Sequence, residues 1–248
     1  MTPKILSVLI NWRRPLNITP ILQAYREQTV PSYIALVECA PRTEFEAPPE
    51  ARSLADIVFS VSENLGPCSR FIPPLAIANY EYTFFGVDDH IPGPRHLEHL
   101  LAAASRHGNR FASIGQDGRC VVDGELRKNR IRVGDDGEDL CADVIVSSEL
   151  VQTKHIPHII NFRQRMIDVF RFDVPEFEDD LFLGCGIQLA TGFPSIVTSI
   201  PSKEESWKKR QLHAPNALCA RPEHYVVRQR FLDMATKIGW GPVRNAFG

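Results

Sequence analysis

Two clusters of acidic residues and one His/Arg pair carry the chemistry this sequence offers. The first cluster is Asp88-Asp89-His90, which follows the hydrophobic run Tyr82-Thr83-Phe84-Phe85-Gly86-Val87. Two carboxylates and an imidazole at the end of such a run offer hard oxygen ligands and one borderline nitrogen, a donor set suited to Mg²⁺ or Mn²⁺. One or two protein ligands would leave coordination positions for a diphosphate, and the metal would offset charge on a leaving nucleoside diphosphate. The same three residues also read as a solvated turn. The second cluster, Glu178-Asp179-Asp180, precedes the apolar Leu181-Phe182-Leu183. It either caps a helix and complements its dipole, or places Asp179 at a reacting carbon with Glu178 or Asp180 orienting it. His224 and Arg228, four residues apart, share one helical face. His224 would serve as a second metal ligand or cap the helix start; the bland alternative for the pair is a basic solvated face with Arg221 and Arg230. Arg13, Arg14 and Arg70 suit phosphate clamping as planar multi-donor cations, and Asn11 and Asn64 suit hydrogen bonds to a base or ribose.

The elements that must hold these groups are short apolar runs alternating with amphipathic ones. Residues 4–11, 33–40, 57–61 and 83–88 read as strands. Between the first two, Pro15 to Gln28 places Leu16, Ile18, Ile21, Leu22 and Tyr25 at helical spacing. This alternation predicts a parallel α/β sheet flanked by helices, which any Rossmann-like domain would also satisfy. Ligands bind in the crevice at the carboxyl ends of such strands, where Asp88 falls. Further on, Pro94–His107, Pro157–Phe170, Asp179–Ala190 and Pro222–Gly239 read as helices, and 111–116, 119–123, 143–147 and 195–200 as strands. Gly134 to Asp139 reads as a loop. Pro201 to Pro215 reads as a mobile loop, whose Lys208-Lys209-Arg210 and His213 could close over a ligand. With no repeat or linker, one domain is expected, with residues 1–93 as a nucleotide-binding half and 94–248 as an acceptor-binding and catalytic half.

Composition narrows the partners. Lys and Arg number 28 against 30 Asp and Glu, a net charge of −2, so no general affinity for polyanions follows and a nucleic-acid acceptor has no support from charge. The six cysteines stand singly without a CxxC pair, which argues against a zinc ribbon or dithiol site. Ile5 to Ile10 is too short to span a membrane and ends at Asn11, Arg13 and Arg14 without a small-residue cleavage site. A cytoplasmic protein with a buried first strand is expected.

Asp88-x-His90 after a buried strand resembles the Asp-x-Asp signature of GT-A glycosyltransferases. The chain also resembles the C-terminal catalytic domain of the exostosin family in order along its length. The matching segments are Ile10-Asn11-Trp12-Arg13-Arg14-Pro15-Leu16, Asn64 with Arg70-Phe71 and Pro73, Val87-Asp88-Asp89-His90-Ile91, Phe177-Glu178-Asp179-Asp180-Leu181-Phe182-Leu183, and His224 to Arg228 with Phe231 and Gly239. The resemblance implies a mixed α/β sheet of GT-A type, a UDP-sugar donor and Mn²⁺ or Mg²⁺ as cofactor. It implies Asp88 near the ribose or sugar, His90 on the metal with Asp89 supporting either, and Arg228 on the diphosphate. It also implies transfer with retention, in which Asp179 positions the sugar and stabilises oxocarbenium-like charge; with inversion, one acid would instead act as general base. His90 stands where the family has a third acid, and Cys68-Ser69 where it has Asn-Asn, which bears on donor and acceptor identity more than on fold.

A metal-dependent hexosyl- or N-acetylhexosaminyltransferase is therefore the expected activity, with a carbohydrate or other hydroxyl compound as acceptor. A nucleotidyltransferase is the first rival, but Asn11-Trp12-Arg13-Arg14-Pro15 lacks the glycines of its phosphate loop. A non-catalytic nucleotide- or carbohydrate-binding module is the second.

Overall fold

The computed structural model describes residues 3–39, 45–62, 65–127, 129–135, 137–171, 179–204 and 222–243, together with the backbone at 207–208. The chain begins with β1 (Ile5–Asn11), α1 (Pro15–Arg26), β2 (Tyr33–Cys39), α2 (Pro49–Leu54) and β3 (Ile57–Val61). A 3₁₀ turn over Pro67–Phe71 leads into α3 (Ile72–Ala76), β4 (Tyr82–Gly86), β5 (His90–Ile91) and α4 (His96–Arg106). Six two- or three-residue strands follow, β6 (Ile114–Gly115), β7 (Gly118–Arg119), β8 (Val121–Val122), β9 (Glu125–Leu126), β10 (Leu140–Ala142) and β11 (Val144–Ile145), and then the four-residue β12 (Glu149–Gln152). The remainder is α5 (Ile156–Phe170), α6 (Asp179–Thr191), β13 (Ser195–Val197), β14 (Trp207–Lys208) and α7 (His224–Lys237).

Eight strands form one mixed sheet in the order β10-β13-β6-β12-β4-β1-β2-β3. The β3-β2-β1-β4 portion is parallel throughout, as the alternation in the first half predicts. All seven residues of β1 are buried, because this strand is covered on both faces; five are apolar, and the two polar ones, Ser7 and Asn11, are hydrogen-bonded. Its side chains divide by parity: Leu6, Val8 and Ile10 enter one core, Ile5 and Leu9 the other. Helices α1 and α4 cover the second core with Ile18, Ile21, Leu22, Leu97 and Leu100, while α5, α6 and α7 cover the first with Ile159, Phe162, Phe182 and Phe231. Phe182 and Phe231 meet edge-to-face with ring centroids 4.8 Å apart.

The second half differs from the expected strands in several places. The run 83–88 starts at Tyr82 and ends at Gly86, leaving Val87 and the acids in a turn. At Gly86 an added Cβ would overlap the Tyr25 hydroxyl, so only glycine lets α1 pack this close to the strand end. The run 111–116 shortens to Ile114–Gly115, and 119–123 is broken at Cys120. The run 143–147 is broken at Asp143, which is fully buried and accepts the Val121 N–H at 2.7 Å, taking a ladder donor for its own carboxylate. β12 was not expected. It lies antiparallel to both β4 and β6 and joins the parallel portion to the rest of the sheet. The Gly134–Asp139 stretch is a loop where described, with Asp139 accepting from Arg106, His107 and Thr198.

Candidate active site

The strand order reverses at β1, which has β2 on one side and β4 on the other, and such switch points open a crevice at the carboxyl ends of the strands. Trp12, Arg14, Asp88, Asp89 and His90 emerge there. They line one cavity of about 240 Å³ together with Arg70, Arg119, Arg130, Asp179, Asp180, His224 and Arg228. Three clusters far apart in sequence thus share a single space.

At the β1/β4 end, Asp88 is pinned. Its Oδ2 accepts the Trp12 N–H at 3.1 Å, its Oδ1 accepts Arg14 Nη1 at 2.6 Å, and its carbonyl accepts Asn17 Nδ2 at 2.9 Å. Burial pushes its carboxyl up to about 6, against the pull of Arg14. Asp89 is more open; its Oδ2 lies 3.4 Å from Arg14 Nη1 and its Oδ1 3.7 Å from His90 Nε2. Asn11 donates to the Phe45 carbonyl at 2.8 Å and accepts the Arg14 N–H at 3.3 Å, so its amide shapes the turn after β1. Arg13 adopts a left-handed backbone with φ of 58° and stacks its guanidinium 5.0 Å from the Trp12 ring centroid. That turn directs the Trp12 N–H onto Asp88. The backbone of β14 pairs with β5, setting Lys208 opposite His90.

At the α6/α7 end, charges form a chain. Asp180 receives both terminal nitrogens of Arg228, at 3.0 and 2.8 Å. Arg70 is shared: its Nη2 donates to Glu149 Oε1 at 2.9 Å, and its Nε lies 2.9 Å from Asp179 Oδ2. The Phe85 ring sits 5.0 Å from the Arg70 guanidinium. Burial works to lower the Arg70 pKa, but Asp179, Glu149 and Asp180 outweigh it and raise it. Burial raises the Asp179 carboxyl despite Arg70, and pushes Glu149 up to about 8. For Asp180, burial is outweighed by Arg228, and its carboxyl is lowered. His224 is lowered to about 4 by burial and the neighbouring Arg228 and is therefore a neutral imidazole.

Asp88, Asp89, His90, Arg14, Arg70, Asp179, His224 and Arg228 are thus brought together at the cavity, with Asn11 and Arg13 in the turn beside it. Arg228 and His224 are buried, whereas Arg230 on the same helix is exposed, so the pair is not part of a solvated basic face. Asn64, Glu178, Lys209, Arg210 and His213 lie outside the described residues. Sequence reasoning missed Glu149, Arg119 and Arg130. Glu149 carries a signal only in hindsight, as one acid before the apolar pair Leu150-Val151 would be expected at a strand edge, and here it sits in a central strand. Among the described residues no three His, Cys, Asp or Glu are grouped to hold a metal alone.

A mixed sheet with helices on both faces, and an acidic turn at its switch point, is the GT-A type of glycosyltransferase fold. Solved structures share it at low identity. The mannosyltransferase PcManGT from Pyrobaculum calidifontis, in complex with GDP-Man and Mn²⁺, is 12% identical with a TM-score of 0.60, over 97% of this chain and 66% of that one. S. aureus TarS 1–349 in complex with UDP-GlcNAc is 15% identical with a TM-score of 0.58, over 94% of this chain and 66% of that one. The chain spans 37% of the length of another solved TarS chain, at a TM-score of 0.50. No family model matches the chain, and no curated protein does. The exostosin resemblance therefore rests on the order of its motifs. Among the described residues no helix is long and apolar enough to cross a membrane.

Proposed function

We propose that this protein transfers a sugar from a nucleotide-sugar donor to a hydroxyl acceptor, with a divalent cation. The observation that carries this reading is the convergence of Asp88-Asp89-His90 and the Asp179/Asp180/Arg228 group on one cavity at the switch point of the sheet. Structures of the same fold bound to GDP-Man with Mn²⁺ and to UDP-GlcNAc support the ligand class.

Asp88, held by Arg14 and the Trp12 N–H, is too well pinned to turn over protons and suits a ribose or sugar hydroxyl. Asp89 Oδ1 and His90 Nε2, 3.7 Å apart on the cavity wall, form a carboxylate–imidazole pair of the kind that Mn²⁺ or Mg²⁺ accepts when diphosphate oxygens complete its shell. Bound there, the cation would neutralise charge on the departing nucleoside diphosphate.

Asp179 suits the acceptor. A carboxylate whose proton affinity is raised by burial is a better base near neutral pH than an exposed one, and Asp180 is committed to Arg228. The acceptor oxygen attacks the anomeric carbon, its proton passes to Asp179, and the bond to the diphosphate breaks with its electron pair. This is displacement with inversion, in place of the retention implied by the exostosin resemblance. Arg228, fixed by Asp180, faces the same space and would stabilise the leaving phosphates.

The test is a screen of UDP- and GDP-sugars for Mn²⁺-dependent rise in melting temperature and for slow donor hydrolysis. A shift with one nucleotide class, lost on Asp89→Ala, is expected. If no nucleotide sugar shifts the melting temperature and none is hydrolysed, the reading is wrong.

A further inference from the structure

Five arginines line the cavity, and four of them face a carboxylate: Arg14 with Asp88, Arg70 with Glu149 and Asp179, Arg228 with Asp180, and Arg130 with Asp117. Arg119 is the exception. Among the described residues it makes no ion pair. Its guanidinium lies over the Tyr225 ring at 5.6 Å, and its terminal nitrogens reach the Tyr225 hydroxyl only at 3.4 and 3.5 Å and the Arg127 carbonyl at 3.4 Å. Stacking on an aromatic face fixes the plane of a guanidinium while leaving its N–H edge for another acceptor.

Arg130 shares its carboxylate partner. The single carboxylate of fully buried Asp117 takes both Arg130 and Arg132. Arg119 and Arg130 both line the cavity, and among the described residues neither holds a carboxylate to itself. Cations lining a cavity raise the local concentration of anions there.

We propose that Arg119 and Arg130 form an oxyanion-binding subsite for a phosphate-like group in this cavity, separate from the Asp88-Asp89-His90 end. Arg119 supplies a guanidinium over the Tyr225 ring whose terminal nitrogens make only long contacts, and Arg130 a second guanidinium anchored by Asp117. The proposal rests on the cavity being a substrate site, and not on glycosyl transfer as such. Two sources fit the chemistry: the diphosphate of a donor, or an anionic group on the acceptor.

The experiment measures binding of inorganic phosphate and pyrophosphate to the full chain by calorimetry, for the wild type, Arg119→Gln, Arg130→Gln and the control Arg127→Gln. Arg127 is exposed and lies outside the cavity lining. Circular dichroism and urea midpoints verify that each variant is folded; Arg130→Gln still leaves Asp117 paired with Arg132. Affinity is expected to fall at least about tenfold in each of the two cavity variants and to change less than about twofold in the control. Absence of phosphate binding by the wild type, or equal affinity across all four proteins, overturns the subsite. Adding UDP or GDP with Mn²⁺ separates the sources. Displacement of phosphate assigns the subsite to the donor diphosphate; continued binding to the nucleotide-loaded protein assigns it to the acceptor. Failure of the transferase reading would look different, with nucleotide sugars left intact while the arginine dependence of phosphate binding persists.

Discussion

The two ends of the cavity hold acidic pairs of similar composition under opposite regimes. At the β1/β4 end, Asp88 is bound by a backbone N–H and one arginine, and Asp89 beside it remains partly open. At the α6/α7 end, two arginines and three carboxylates form a buried chain in which Asp179 is raised and Asp180 lowered. Environment separates the proton affinities of neighbouring acids, and that separation divides roles between a group that orients and a group that exchanges protons. On the proposed mechanism, the first end supplies fixed geometry and the second proton transfer.

The largest expected effect distinguishes these roles directly. Asp179→Asn should lower sugar transfer by about 10²–10⁴-fold, with the donor dissociation constant changed by less than about threefold. Asp88→Asn should do the reverse in kind, weakening donor binding more than the single-turnover rate. Equal losses in both parameters for both variants would dissolve the contrast.

Stability offers the next comparison. Arg70 and Glu149 are both essentially withdrawn from water, so Arg70→Ala should cost about 3–5 kcal/mol at pH 9, measured by urea unfolding. The cost should shrink at pH 5, where Glu149 takes up a proton. Arg14→Ala, at a pair nearer solvent, should cost less at either pH.

Smaller effects are set by proton linkage. Glu149 has a folded pKa of about 8 against an ordinary 4.5. Between those values the folded state holds a proton that the unfolded state has released, so this group's contribution to stability falls as pH rises. Glu149→Gln should leave stability near pH 5 almost unchanged and exceed the wild type above pH 8. Asp88, raised from 3.8 to about 6, acts in the same direction over a lower window. Asp88→Asn should flatten the decline in stability between pH 4 and 6, and by a smaller amount. A steeper decline in either variant would reverse the assignment of burial as the dominant cause.

The sequence made the first half of the fold legible because its strands are covered on both faces. The runs that became β1, β2 and β4 are apolar at nearly every position, and α1 shows its buried stripe plainly. The second half hid its strands because they are short and polar where they matter. β12 holds buried Glu149 and Gln152, and the break at Asp143 is filled by a carboxylate accepting a backbone N–H. Residue types and spacing picked out Asp88, Asp179 and Arg228, since acids beside apolar runs and an i, i+4 pair are local patterns. Glu149, Arg119 and Arg130 gain their significance from partners 79, 106 and 13 residues away, which no local pattern encodes.

The left-handed backbone at Arg13 bears on how this sequence can vary. An L residue in that conformation costs about 1–2 kcal/mol relative to the right-handed region, and glycine or asparagine would sit there with less strain. Arginine at this position keeps a cation stacked on Trp12 and Phe45 at the rim of the crevice. Glycine at position 13 would relieve that strain only by giving up the stacked cation, so backbone ease and a positive charge at the rim are alternatives at this one position.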